Sequence, residues 1–156
     1  SELATAMIHE FPVRFGDAWL EVFRAKLGLR DAHEGDADLM NGLLDRMASG
    51  RADFTLTFRG LADGSARAQF DDPAMFDQWA DAWTARDPDL SSLDAVNPAI
   101  IPRNHQIERI IAAATAGDFA PFHDLHAALQ NPFAPNAPLS LPPRPEEVVA
   151  ATFCGT

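Results

Sequence analysis

Apolar positions along the chain recur mostly at helical spacing. Phe15, Trp19, Val22, Phe23 and Leu27 fall three or four apart and predict one buried stripe on a first helical segment over 2–29. Pro12 lacks an amide hydrogen, so it kinks that segment or starts its second piece, and Gly28 stands where a left-handed cap ends a helix. A polar loop over 30–35 follows. Asp36 or Asp38 then caps a second helix carrying Leu39, Leu43, Leu44 and Met47, with Gly50 just past its end. Residues 53–61 read two ways. Phe54, Leu56 and Phe58 alternate with Thr55, Thr57 and Arg59 as in a strand, while Phe54, Phe58 and Leu61 also line a helix behind Asp53. No other stretch offers a strand to pair with, and a lone strand leaves its amides unsatisfied, so helix is the preferred reading.

Further on, Asp71 or Asp72 before Pro73 marks a helix start, with Phe76, Trp79, Ala80 and Trp83 on one face until Pro88. Residues 90–96 suit a short helical turn or a loop. Asn97-Pro98 and Ile101-Pro102 constrain a corner, since each proline pushes its predecessor out of the helical region. Pro102 leads into a helix through Ala116 with Ile107, Ile110, Ile111 and Ala114 inside. Gly117 stops it, and Asp118 caps the next helix, whose stripe is Phe122, Leu125 and Leu129. Six of the twelve prolines fall between Asn131 and Pro145, which predicts an extended strap held on the surface by Phe133, Leu139 and Leu141. The expected fold is all-α, with about six helices in an irregular orthogonal bundle and a proline-rich extended C-terminal strap. Residues 1–130 would form the helical domain, with the strap and tail, 131–156, packed on it as part of the same domain.

Charge and composition narrow the function classes. The 156 residues suit one domain, and 47% apolar content suffices for a core. Twelve basic against 23 acidic side chains give a formal net charge of −11, and Lys26 is the single lysine. Counterion release needs clustered cations, so nucleic acid and anionic membrane are not expected partners. No apolar run approaches the roughly 18 residues needed to span a bilayer, and no signal peptide opens the chain. The single cysteine, Cys154, excludes an internal disulfide framework and fits a reducing, cytoplasmic setting.

Candidate chemistry is sparse. Asp53-Phe54-Thr55 and Asp118-Phe119-Ala120 mimic the metal-binding tripeptide of kinases but lack its glycine, and both aspartates suit helix caps. His123 and His126, one turn apart beside Asp124, could face one metal; zinc would still need further ligands, and surface histidines are the commoner case. The acidic residues Asp31, Glu34, Asp36 and Asp38 lack calcium-loop spacing. Trp79 and Trp83 with the phenylalanines suit either core or a ligand pocket. The least ordinary stretch is Asn97 to His105, where Asn97, Arg103, Asn104 and His105 present many donors at a helix start. Such a corner either satisfies loop carbonyls or anchors a partner or an anion. Cys154, near the chain end, is either a stray thiol or one on a leash that reaches another cysteine. Neither catalytic residues nor cofactor or metal ligands are assigned to this chain.

Several blocks in order carry a resemblance. Lys26-Leu27-Gly28-Leu29, Asp53 to Leu61, Asn97-Pro98 through Pro102-Arg103-Asn104-His105, Gly117-Asp118, Asn131-Pro132-Phe133 and the terminal Phe153-Cys154-Gly155-Thr156 together resemble the C-terminal region of the selenoprotein O-like (SelO) family. Its members are pseudokinase-fold protein adenylyltransferases that bind ATP with a divalent metal and transfer AMP to protein hydroxyl groups. The resemblance implies ATP and Mg or Mn for a longer parent protein, whose nucleotide residues lie upstream of the matched part. It implies a non-catalytic helical region here, with the missing kinase-like domain as partner and protein substrates engaged through the parent. Cys154 matches the family's redox-linked terminal cysteine. The tryptophan stripe would supply an apolar face beyond the chain's own needs. The rival reading is an independent helical protein-binding module, using the Asn97–His105 corner and the tryptophan face.

Overall fold

Asp53, Asp72 and Asp89 each turn a carboxylate back onto an amide at a helix start, and the chain between such caps is helical. The computed structural model describes residues 2–151, and among them no strand occurs. The helices are α1 (Glu2–Lys26), α2 (Asp36–Ser49), α3 (Phe54–Gly60), α4 (Pro73–Thr84), α5 (Leu93–Val96), α6 (Asn104–Thr115), α7 (Ala120–Leu129) and α8 (Ala137–Ser140). Short 3-10 turns cover Ser65–Gln69, Leu90–Ser92 and Pro145–Glu147. The all-α expectation holds, with six principal helices and two of a single turn among the described residues. Asp53 settles the ambiguous segment, because its carboxylate accepts the Leu56 amide at 2.9 Å and nucleates α3. The chain forms two compact units, divided between Val96 and Asn97.

The first unit is built around Leu27, Met40, Leu43, Phe58, Trp79, Trp83 and Leu93, all buried. A buried indole must place its N–H. Trp79 donates to the Leu39 carbonyl and Trp83 to the Leu27 carbonyl, each at 2.8 Å, while the two rings stack 5.5 Å apart. The tryptophans thus staple α4 to α2 and to the residue following α1, and they belong to this unit's own core. The expectation that they form a surplus face is corrected. Two glycines explain why the blocks around them read as they do. Gly28 has φ +67°, and a Cβ there would stand 2.9 Å from the Asp89 carbonyl oxygen; the Asp89 amide itself donates to the Gly28 carbonyl at 2.8 Å. At Gly60 a Cβ would stand 2.5 Å from the Ala66 nitrogen, so only glycine lets the following 3-10 turn close. The Lys26 ammonium lies 5.0 Å from the Phe58 ring centroid and 5.9 Å from that of Phe54, and burial lowers its pKa.

Other expectations need correction. α1 is one unbroken helix through Pro12, so the proline starts no second piece; it removes a single amide donor. Of its expected stripe, Trp19 and Phe23 pack onto the core and Leu27 is buried, whereas Phe15 and Val22 are exposed: Phe15 precedes the turns that reach the core, and Val22 lies about 100° around the helix from Phe23. Asp36 caps nothing: Gly35 holds the N-cap position and Asp36 opens α2 with its side chain turned inward. α4 ends at Thr84, ahead of Pro88, and Asp87 turns the chain with φ +48°. In the second unit Ile110 and Leu125 are buried but Ile111 and Phe122 are exposed, each lying at the edge of its helix's apolar arc. The strap is not uniformly extended, since α8 and the 3-10 turn at Pro145–Glu147 interrupt it where prolines sit in the first helical turn.

Candidate functional site

The Asn97–His105 corner and the strap assemble in the second unit. The prolines hold residues 97–103 out of helical geometry until Arg103, extended at ψ 138°, becomes the N-cap of α6. The amides of Ala99 and Ile100 both donate to the Pro132 carbonyl, at 2.8 and 3.0 Å. In the first turn of α6, the buried Gln106 donates through Nε2 to the carbonyls of Leu139 (3.0 Å) and Pro138 (3.4 Å). Proline-rich chain lacks amide donors but keeps its carbonyls, so the corner and α6 supply the donors that the strap needs.

Of the corner's four candidate residues, Asn97 and Arg103 are buried, His105 is half-buried and Asn104 is exposed. Asn104 and His105 reach open pockets against the strap. One, of about 290 Å³, also includes Arg103, Pro143, Glu147 and Val149. The other, of about 460 Å³, takes in His105, Gln106, Arg109, Leu141, Arg144 and Glu147. Arg144 closes a local ring with Glu147: its amide and its guanidinium each meet the Glu147 carboxylate at 2.9 Å. Those two hydrogen bonds hold the Glu147 pKa down at about 2. Glu147 therefore stays anionic and occupies the arginine, leaving a rim of balanced charge. The Ala99 and Ile100 amides and the adjoining Gln106 side chain do the structural work of satisfying carbonyls. Sequence alone does not point to Gln106, which is central to that work, because a glutamine in a helix gives no local sign that carbonyls wait thirty residues away.

The first unit carries a second polar cluster that sequence alone does not assemble. Asp36, 1% exposed, accepts from the His33 amide at 3.0 Å, from Arg24 Nε at 2.5 Å and from Arg86. Burial acts to raise its pKa, but the hydrogen bonds from Arg24, His33 and Arg86 outweigh it and bring the value down to about 2. Asp31 adds contacts to Arg86 (3.4 Å) and to the His33 ring (3.3 Å). Asp31 and Asp36 are thus spent on two arginines and a histidine. His123 and His126 are exposed on α7 and flank Phe122, whose ring stacks on His126 at 6.1 Å. Among the described residues, no group of three or more His, Cys, Asp or Glu side chains could hold a metal ion. Of the two aspartates of the kinase-like tripeptides, Asp53 caps α3, whereas Asp118 does not cap α7: Phe119 holds the N-cap position, and Asp118, one residue ahead, accepts the Ala120 amide at 3.0 Å. Cys154 lies outside the described residues. No helix among the described residues is long and apolar enough to cross a membrane.

No family model matches the chain. Its sequence is 52% identical to the protein nucleotidyltransferase YdiU of Ruegeria sp. (strain TM1040), 46% identical to that of Ruegeria pomeroyi and 45% identical to that of Rhodopseudomonas palustris (strain BisB5). Each match covers 99% of this chain, but only 34%, 34% and 36% of the respective relative. The chain therefore spans about a third of the length of the curated relatives it matches. The glycine-bearing blocks at Gly28 and Gly60 and the corner-and-strap assembly all lie within that shared stretch, and along it the chain is a homologue of the YdiU nucleotidyltransferases of the SelO family.

Proposed function

We propose that the chain is the non-catalytic, C-terminal helical part of a SelO-type protein nucleotidyltransferase. In this reading the whole protein moves AMP from ATP to serine, threonine or tyrosine hydroxyls, with pyrophosphate leaving, and Mg or Mn serves the nucleotide. The kinase-like remainder would hold ATP and the metal and engage the protein substrates. The observation that carries the reading is the match of essentially the whole chain to a third of proteins named as nucleotidyltransferases. The structure supports it in one respect: the Ala99 and Ile100 amides and the Gln106 side chain are spent on the strap's carbonyls, and Asp31 and Asp36 on arginines, which is scaffold work. Cys154 would be the redox-responsive thiol of the tail, and any disulfide within one polypeptide would draw its second sulfur from outside this chain.

The test pairs two proteins. One is the isolated chain; the other is the Ruegeria sp. relative with its matching stretch replaced by this chain. Titration calorimetry with ATP and Mg²⁺ or Mn²⁺ should give no saturable heat with the isolated chain, while the chimera should label a protein substrate with AMP. Saturable, metal-dependent ATP binding by the isolated chain would overturn the proposal.

A further inference from the structure

The first half of α1 carries apolar surface that nothing in its own unit covers, and Val22 extends it toward the core. Met7, Ile8, Phe11, Phe15 and Val22 are each between 54% and 71% exposed. At about 100° per residue they fall within roughly 100° of arc. Phe11 and Phe15 already stack on each other at 5.8 Å. Glu10, Arg14, Asp17 and Glu21 line one flank outside that arc, with Arg14 paired to Glu10 at 2.7 Å. From Met7 onward the helix is therefore amphipathic, yet only its last turns, from Trp19 onward, meet the core of the first unit.

Exposure at these five side chains amounts to on the order of 600 Å² of contiguous apolar area, at or above the largest patch of an ordinary monomer. It approaches the roughly 800 Å² that one partner gives to a standard interface and lies within the range of contacts between domains. We infer that this face of α1 is the seat of the remaining two-thirds of the nucleotidyltransferase polypeptide, packed through an apolar surface of that remainder. The inference rests on the proposed function. Two observations favour this occupant. The relatives match α1 along with the rest of the chain, yet each carries about twice as much polypeptide again. The five side chains are also all uncharged, so the face suits a dry, permanent contact within one polypeptide more than a transient, salt-sensitive one.

Cysteine footprinting tests the assignment, in a Cys154→Ser background. Phe11→Cys, Phe15→Cys and, on the charged flank, Asp17→Cys are placed in the isolated chain and in the Ruegeria sp. chimera. Maleimide labelling at each site is read by peptide mass, with the isolated chain diluted until sedimentation shows a monomer. Positions 11 and 15 should label about tenfold more slowly in the chimera than in the isolated chain, while position 17 changes by less than about twofold. Equal labelling at 11 and 15 in both proteins overturns the inference. So does protection that vanishes when the chimera is diluted to a monomer, because the occupant is then a second copy. Phe15→Cys serves if Phe11→Cys lowers the yield of folded protein. Failure of the proposed function shows elsewhere, as ATP binding by the isolated chain, so the two are distinguishable.

Discussion

Replacing Asp36 with asparagine keeps the shape of the side chain and its acceptor for the His33 amide but removes the charge between Arg24 and Arg86. Asp36 is 1% exposed, whereas the two arginine side chains are 25% and 14% exposed, so the guanidiniums left behind recover part of their hydration. Breaking a fully buried pair costs about 3–5 kcal/mol, and partial access to water should bring this one toward the lower end. Linkage gives an independent figure. The folded pKa of about 2, against an ordinary 3.8, corresponds to about 2 kcal/mol of stability. Because the folded value is the lower one, the unfolded chain binds more protons in between. That stability is complete above about pH 4 and is lost as pH falls toward 2. All three tryptophans lie in the first unit, so urea unfolding followed by tryptophan fluorescence reports on it directly. Asp36→Asn should lose about 2–3 kcal/mol at pH 7, and the gap to the parent chain should close between pH 4 and 2. A loss below about 0.5 kcal/mol at pH 7, or a gap unchanged at pH 2, would refute the account of Asp36 as a charged hub.

Trp83→Phe strands the buried Leu27 carbonyl and should cost about 1–3 kcal/mol in the same urea assay, read by circular dichroism. Gly60→Ala places a methyl group on the Ala66 backbone and should cost more than about 2 kcal/mol, whereas Gly64→Ala, with open space around its Cβ, should cost about 1 kcal/mol for its positive φ alone; thermal melts separate the two. Gln106→Leu releases the carbonyls of Pro138 and Leu139, so limited proteolysis between residues 131 and 150 should accelerate several-fold while tryptophan fluorescence stays unchanged.

Fold class was legible because caps and periodicity agree: Asp53, Asp72 and Gly117 mark boundaries that the structure keeps. Burial was legible only where a helix has a neighbour. Phe15, Val22, Ile111 and Phe122 carry the same periodic signal as Trp19 or Ile110, since periodicity states which side is apolar and not what faces it. The polar clusters were the least legible. Asp36 meets arginines 12 and 50 residues away, and Gln106 meets carbonyls 32 and 33 residues away, so no local pattern announces either. The corner at 97–105 was visible as an unusual run of prolines and donors, yet that its Ala99 and Ile100 amides meet the Pro132 carbonyl depended on which acceptors folding brought near.

The carbonyl of Pro132, shared by two amides, also bears on how the polypeptide can be shortened. Anyone trimming the sequence at the end of α7 to obtain a tidier helical fragment would remove that oxygen and strip Ala99 and Ile100 of their acceptor together. Ile100 is nearly inaccessible to water, so solvent could not readily replace the lost bond. A fragment ending before Asn131 should therefore be less soluble than one that retains residues 131–147, despite carrying fewer prolines.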